Sequence, residues 1–239
     1  MKILRTLQAA AICGVLSMST AALAQTIEIT VLQNGSQVYQ TNATATSLST
    51  GTQTFSDFTI SNFVVTATDF PTIGSLAGSG TVTTSGGFVS GDYLTIEISY
   101  DAYTTPSPVN TLTSSQGYSD INAGGSTGST INFSTTIGPS GTLNASGTNG
   151  PLNALTVPAG TSGAGSQTEP NDVFTPAISG GYTLTETFVW DPTTINDQLQ
   201  PTGTLTAQYT APEGGIGLMY LLLAAMTFGG GMALKHREA

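Results

Sequence analysis

Three glutamates, Glu28, Glu97 and Glu186, stand in runs that alternate apolar and polar residues. Two such acids held across a cleft are the machinery of glycoside hydrolysis. Composition closes most other routes to chemistry. The chain has four Lys and Arg residues and one His, and all five lie near its ends, as Lys2, Arg5, Lys235, His236 and Arg237. Between Gln25 and Pro212 there is thus no Ser-His-Asp triad, no lysine nucleophile and no histidine-bound metal. The single cysteine, Cys13, lies in the N-terminal segment. Thiol catalysis, disulfides and cysteine-bound zinc are absent from the body on that count.

What remains is carboxylate and aromatic chemistry. Glu28 and Glu97 alternate with apolar neighbours and are expected to face solvent. Glu186 shares the phase of Tyr182, Leu184, Phe188 and Trp190, which puts it on the apolar face. A bulge or a sheet edge is the expected cause, and an acid of raised pKa is the alternative. Calcium is the one metal this composition admits, through oxygen ligands. Asp92, Asp101 and Asp120 stand singly, without the spacing of a dedicated calcium loop, and read as turn residues, with one site shared between separate loops as the alternative. Sugars stack on exposed rings, for which Tyr93, Tyr100, Tyr103, Tyr118 and Trp190 are candidates. Tyr103, beside Thr104-Thr105-Pro106, is expected to be the most exposed of them, while aromatic residues in strands are more often core. No catalytic, cofactor or metal residue is assigned, and the body is expected not to be an enzyme.

The elements that must position these residues read as strands. Ile27, Ile29 and Val31 fall on one face of Thr26–Leu32. Asn34-Gly35 is a strong hairpin signal, because both residue types accept positive φ, and Val38–Thr41 returns. Further strands are expected at Thr52–Ile60, Asn62–Thr68, Gly78–Thr84, Tyr93–Tyr100, Thr130–Ile137, Tyr182–Trp190 and Thr204–Thr210. No window of the body shows a capped helical stripe. Gly138–Pro176, dense in Gly, Ser, Thr, Asn and Pro, reads as a long surface excursion within one domain. The expected fold is all-β, a single antiparallel β-sandwich of the immunoglobulin-like or jelly-roll-like kind, over residues 25–211, with a barrel or a β-solenoid as the alternatives.

Charge narrows the partners. The formal net charge is −10, and of the fourteen acids all but Glu213 and Glu238 lie in the body. With no Lys or Arg there to neutralise phosphates, nucleic acid is not a partner.

The two ends carry signals. Lys2 and Arg5 precede an apolar run, Leu7–Met18, and Ala22-Leu23-Ala24 follows. This is the pattern of a secretory signal peptide, residues 1–24, cut between Ala24 and Gln25. Ile12 before Cys13 does not suit a lipoprotein signal. At the other end, Ile216–Leu234 carries no charge. As a helix it is about 28 Å long, close to a bilayer core of about 30 Å. Lys235 and Arg237 form the basic end expected on the cytoplasmic side.

Pro212-Glu213-Gly214-Gly215, an apolar span and a basic end, in that order, resemble the C-terminal sorting signals of the PEP-CTERM family of bacterial surface proteins. In that family a Pro-Glu-Pro motif is handled by a membrane protease, the exosortase. Pro212 and Glu213 match it, and Gly214 stands where the second proline would be. Gly214-Gly215 is similar to the related GlyGly-CTERM pattern, read by rhombosortases. The resemblance covers residues 212–239 and implies a precursor anchored in the inner membrane, then cut by a sortase-type protease. The body would be left at the cell surface or in the extracellular matrix, in a structural or adhesive role, with extracellular polysaccharide as a candidate partner. A plain C-terminal membrane anchor is the alternative for the tail. For the body it is a carbohydrate-binding or glycan-hydrolysing surface domain.

Overall fold

Ile27, Ile29 and Val31 are fully buried, as the two-residue repeat of a strand requires when one face meets a core. The computed structural model describes residues 25–120, 129–139, 155–156, 164–168, 172–178 and 180–209. These form two antiparallel sheets and, among the described residues, no helix. The first sheet runs in the order β10 (Leu155–Thr156), β9 (Thr130–Pro139), β13 (Tyr182–Asp191), β7 (Leu94–Tyr103), β1 (Ile27–Gln33) and β2 (Ser36–Ala43). The second runs β11 (Ala164–Thr168), β8 (Val109–Asp120), β14 (Gln198–Gln208), β6 (Ile73–Thr84), β5 (Phe58–Phe70) and β3 (Ser47–Ser49). Two further strands join it, β12 (Asp172–Ile178) on β8 and β4 (Thr52–Thr54) on β5.

The sheets meet through side chains of alternate residues. Ile98, Phe133, Leu184 and Phe188 come from the first sheet, and Phe63, Val65, Leu76 and Leu205 from the second, all buried. Each contributes about 1.5–3 kcal/mol by leaving water. Ring pairs bridge the layers: Phe63 meets Phe188 edge-on at 6.0 Å, and Phe58 meets Trp190 at 5.9 Å. Phe133 and Phe188, 4.9 Å apart, press on the backbone of Gly203.

The first hairpin follows its sequence signal. Gln33 pairs with Ser36 around Asn34 (φ 51°) and Gly35 (φ 76°), the geometry of a type I′ turn. A Cβ on Gly35 would also stand 3.1 Å from the Tyr93 hydroxyl. Gly35→Val is expected to lower stability by about 1 kcal/mol or more, since a β-branched residue resists positive φ. An unchanged urea midpoint would contradict the turn assignment.

Four strand expectations are corrected. Thr52–Ile60 is not one strand: the chain turns at residues 55–57, where the Phe55 N–H donates to Phe58 O at 2.8 Å. Ile60 and Val64 instead belong to one strand, β5, which continues through an irregularity at Asn62 (φ 52°). The Asn62 N–H there donates to Gly51 O at 2.9 Å. The last strand begins at Gln198 and not Thr204, with Pro201 inside it. Pairing of β14 with β6 lapses at residues 200 and 201, where the missing N–H of proline would otherwise break the ladder. The excursion 138–176 contributes β10 and β11, and β12 begins inside it, where the sequence suggested only surface loop.

Strand β8 had no sequence expectation at all. Its inward positions are Leu112, Ser114, Gln116 and Tyr118, so half of its core face is polar. The Ser114 and Thr135 hydroxyls meet at 2.8 Å across the layers, which satisfies Ser114 inside the core.

Both ends of the domain's chain lie at the same end of the sandwich. Ile27 pairs with Tyr100, near the close of β7. Gln208 pairs with Ile73 and Thr111, at the starts of β6 and β8. The Tyr103 hydroxyl reaches across the layers to Ser75 O, which joins the two sheets at this end.

Candidate functional site

The densest polar cluster lies at that shared end. Asp69, near the close of β5, faces the Thr104–Thr105 segment that follows β7. Its Oδ2 accepts from the Thr104 N–H at 3.1 Å and the Thr104 hydroxyl at 3.0 Å. Its Oδ1 accepts from the Thr105 N–H at 3.1 Å and also from the Thr105 hydroxyl. Gln25 Nε2 comes within 3.5 Å of the same carboxylate. A carboxylate that accepts from this many donors pins the loop between the sheets, a structural task.

Beneath it three tyrosines stack. Tyr103 lies parallel to Tyr182 at 5.0 Å and edge-on to Tyr100 at 4.7 Å. The Tyr182 hydroxyl donates to Thr105 O at 2.6 Å. Burial raises all three phenols above their ordinary range, Tyr103 well above it. The negative charge of Asp69 pushes the same way for each. These phenols hold their protons at neutral pH, and those of Tyr103 and Tyr182 act as donors. The expectation that Tyr103 is the most exposed ring is therefore overturned. It is fully buried, because the β7 register shifts at Ala102 (φ 65°) between Tyr100 and Tyr103, which turns both rings to the core face. Trp190 and Tyr118 are buried as well, and Tyr93, 36% exposed, is the one sugar-stacking candidate left at the surface.

Glu186 occupies the apolar face, as its phase requires, but neither a bulge nor an edge explains it. Its register is unbroken on both sides, opposite Ile98 of β7 and Thr135 of β9. It is fully buried, and neither carboxyl oxygen has a hydrogen-bond partner. Burial holds its pKa well above the carboxylate range, so the group is a neutral acid within the core.

Glu28 departs from expectation. It takes the outward phase of β1 yet is only 8% exposed, flanked by Asn42 and Ser99 on the neighbouring strands and receiving the Thr30 hydroxyl at 3.5 Å. Glu97, partly exposed on the same face, is shifted up by burial first and then by Glu28.

The three aspartates do not converge. Asp92 precedes β7 and Asp101 lies nine residues later within it, about 30 Å along an extended chain. Asp92 receives Asn34 Nδ2 and the Val89 N–H, each at 2.8 Å, and so closes a turn. Asp101 receives the Thr183 hydroxyl at 2.6 Å. Asp120 ends β8 opposite Leu199. Among the described residues no three His, Cys, Asp or Glu side chains gather as metal ligands. A shallow groove of about 280 Å³ lies along β8, β11 and β14, lined by Ser115, Gln116, Gly117, Ser166, Thr202 and Thr204 among others. It offers hydroxyls and amides, with no carboxylate or ring.

Asp69 was not singled out in the sequence. An aspartate one residue from a Phe-Pro turn carries no local sign of a partner 35 residues away. Gln25 is described, while Ala24, Pro212, Glu213, Gly214, Gly215, Lys235 and Arg237, and with them the 1–24 and 216–234 segments, lie outside the described residues.

No family model matches the chain, and no curated protein does. Among solved structures it is similar to that of infectious bursal disease virus Gx strain at 9% identity, over 86% of this chain and 73% of that one. The TM-score is 0.22, too low to bear on fold or function.

Proposed function

We propose that this chain is a non-enzymatic exported protein, structural or adhesive, set at the cell surface or in the extracellular matrix by an exosortase-type C-terminal sorting signal. The observation that carries this is the tail: Pro212-Glu213, then Gly214-Gly215, an uncharged run and a basic end, behind a secretory signal. The two-sheet fold supports it in one respect. Its last strand, β14, ends at Gln208, four residues before Pro212 in the sequence. Among the described residues, Glu186 is fully buried and the tyrosines other than Tyr39, Tyr93 and Tyr209 are buried, which suits a scaffold.

In cells, the double variant Pro212→Ala with Glu213→Ala is expected to accumulate in the inner membrane at full length, while the wild type is released. Equal release of both proteins would sink the sorting role of the motif. A second function, carbohydrate binding, is favoured by the hydroxyl-lined groove on β8 and β14 and by exposed Tyr93. Glycan arrays with and without calcium test it directly, and retention of a defined polysaccharide would place it first.

A further inference from the structure

The end of the sandwich from which the tail departs is also apolar at its surface. The β5–β6 turn, Phe70-Pro71-Thr72-Ile73, leaves Phe70 62% and Ile73 39% exposed. Those two residues pair directly across the hairpin, and Ile73 pairs in turn with Gln208. The next residue, Tyr209, is 45% exposed. Adjacent strands lie about 4.8 Å apart, so the hairpin tip stands within about 10 Å, two strand spacings, of the departing tail. From Tyr209 to Ile216 the chain can span at most about 25 Å when fully extended.

We propose that this end of the domain beds in the outer face of the membrane while the precursor is anchored, with the hairpin tip in the lipid interface. It rests on residues 216–234 being a membrane span. A tether this short holds the exposed Phe70, Ile73 and Tyr209 beside the bilayer, where apolar and tyrosine side chains gain by leaving water. The attraction is apolar and not ionic. The body has no basic side chain and the chain's net charge is −10, so a zwitterionic surface suits it better than an anionic one. Asp69, the acid beside the tip, turns its oxygens to Thr104 and Thr105. A bedded domain would keep Pro212–Gly215 at the depth where a membrane protease works.

The absence of cysteine beyond Cys13 makes the test clean. The anchored precursor, residues 25–239 and so without Cys13, is reconstituted in phosphatidylcholine vesicles with a polarity-sensitive fluorophore at Thr72→Cys, Val89→Cys or Leu223→Cys. Lipids carrying shallow or deep spin labels serve as quenchers. The probe at Thr72 is expected to be blue-shifted and quenched several-fold more by shallow labels than the probe at Val89, an exposed apolar position at the opposite end. Adding Phe70→Ser and Ile73→Ser, both at exposed sites that leave the core intact, should abolish that difference. The probe at Leu223 reports the span separately, through deep-label quenching. Deep quenching at Leu223 with Thr72 as wet as Val89 overturns the bedding and leaves the span standing. No deep quenching at Leu223 overturns the span, and the bedding with it.

Discussion

Replacing Glu186 with Met is expected to stabilise the protein by about 1–3 kcal/mol at neutral pH, although it removes a charged residue type from a strand centre. The native side chain is fully buried between Ile98 and Thr135 with both carboxyl oxygens unpartnered. Methionine has similar length and nothing to desolvate. The effect has a definite pH signature. The folded pKa lies well above the ordinary 4.5. Below that ordinary value both folded and unfolded states hold the proton, and the acid is least harmful. Above it the unfolded chain ionises while the folded one does not, so wild-type stability falls by up to about 1.4 kcal/mol per pH unit until the folded pKa is reached. The advantage of Glu186→Met over wild type should therefore widen as the pH rises above the ordinary carboxylate value, for as long as the folded side chain keeps its proton. Urea denaturation of both proteins across that range measures it. Parallel stability curves would show that the carboxyl reaches water in the folded state.

Gly203→Ala is expected to cost about 1–3 kcal/mol through overpacking. The added Cβ would stand 2.6 Å from Phe133 Cε2 and 2.7 Å from Phe188 Cζ, well inside van der Waals contact. Both rings are buried where the sheets face each other, so relief requires the sheets to part or the rings to leave their rotamers. Phe133→Leu alone should also destabilise, but combined with Gly203→Ala it should cost less than the two changes summed, with a coupling of about 0.5–3 kcal/mol. Strict additivity in the double-mutant cycle would mean that the layers do not touch there.

Where one face is apolar and the other polar, the sequence was a sufficient guide. Ile27, Ile29 and Val31 announce β1, and Leu94, Ile96, Ile98 and Tyr100 announce β7, because each inward residue is a hydrophobe. Asn34-Gly35 marks its own turn, because the backbone there needs positive φ at both residues. The two-layer, all-antiparallel architecture follows from such strands. Strand β8 was hidden because Ser114 and Gln116 occupy core positions, and the Ser114 hydroxyl finds its partner only in Thr135, distant in sequence. The start of β14 was hidden by Pro201, which a central strand tolerates only where its neighbour's ladder lapses.

The site residues divide in the same way. The phase of Glu186 placed it on the core face, yet its interior position needed β9 and β7 on either side of β13, a fact of topology. The burial of Tyr103 depends on the Tyr182 ring and Ser75 carbonyl that receive it, 79 and 28 residues away along the chain. The Asp69 cluster depends in the same way on the loop after β7 returning to the close of β5. None of these pairings has a local signature.

The central claim, that the tail is a sorting signal cut by a membrane protease, is tested most directly by the C-terminus of the mature protein. Intact-mass and C-terminal peptide measurements on the protein released from cells locate that end without any variant. The mature chain is expected to begin at Gln25 and stop near Gly215, with the uncharged run and its basic end gone. A released or surface-held mature chain that still carries Lys235 to Ala239 would contradict it, and would make these residues a permanent anchor.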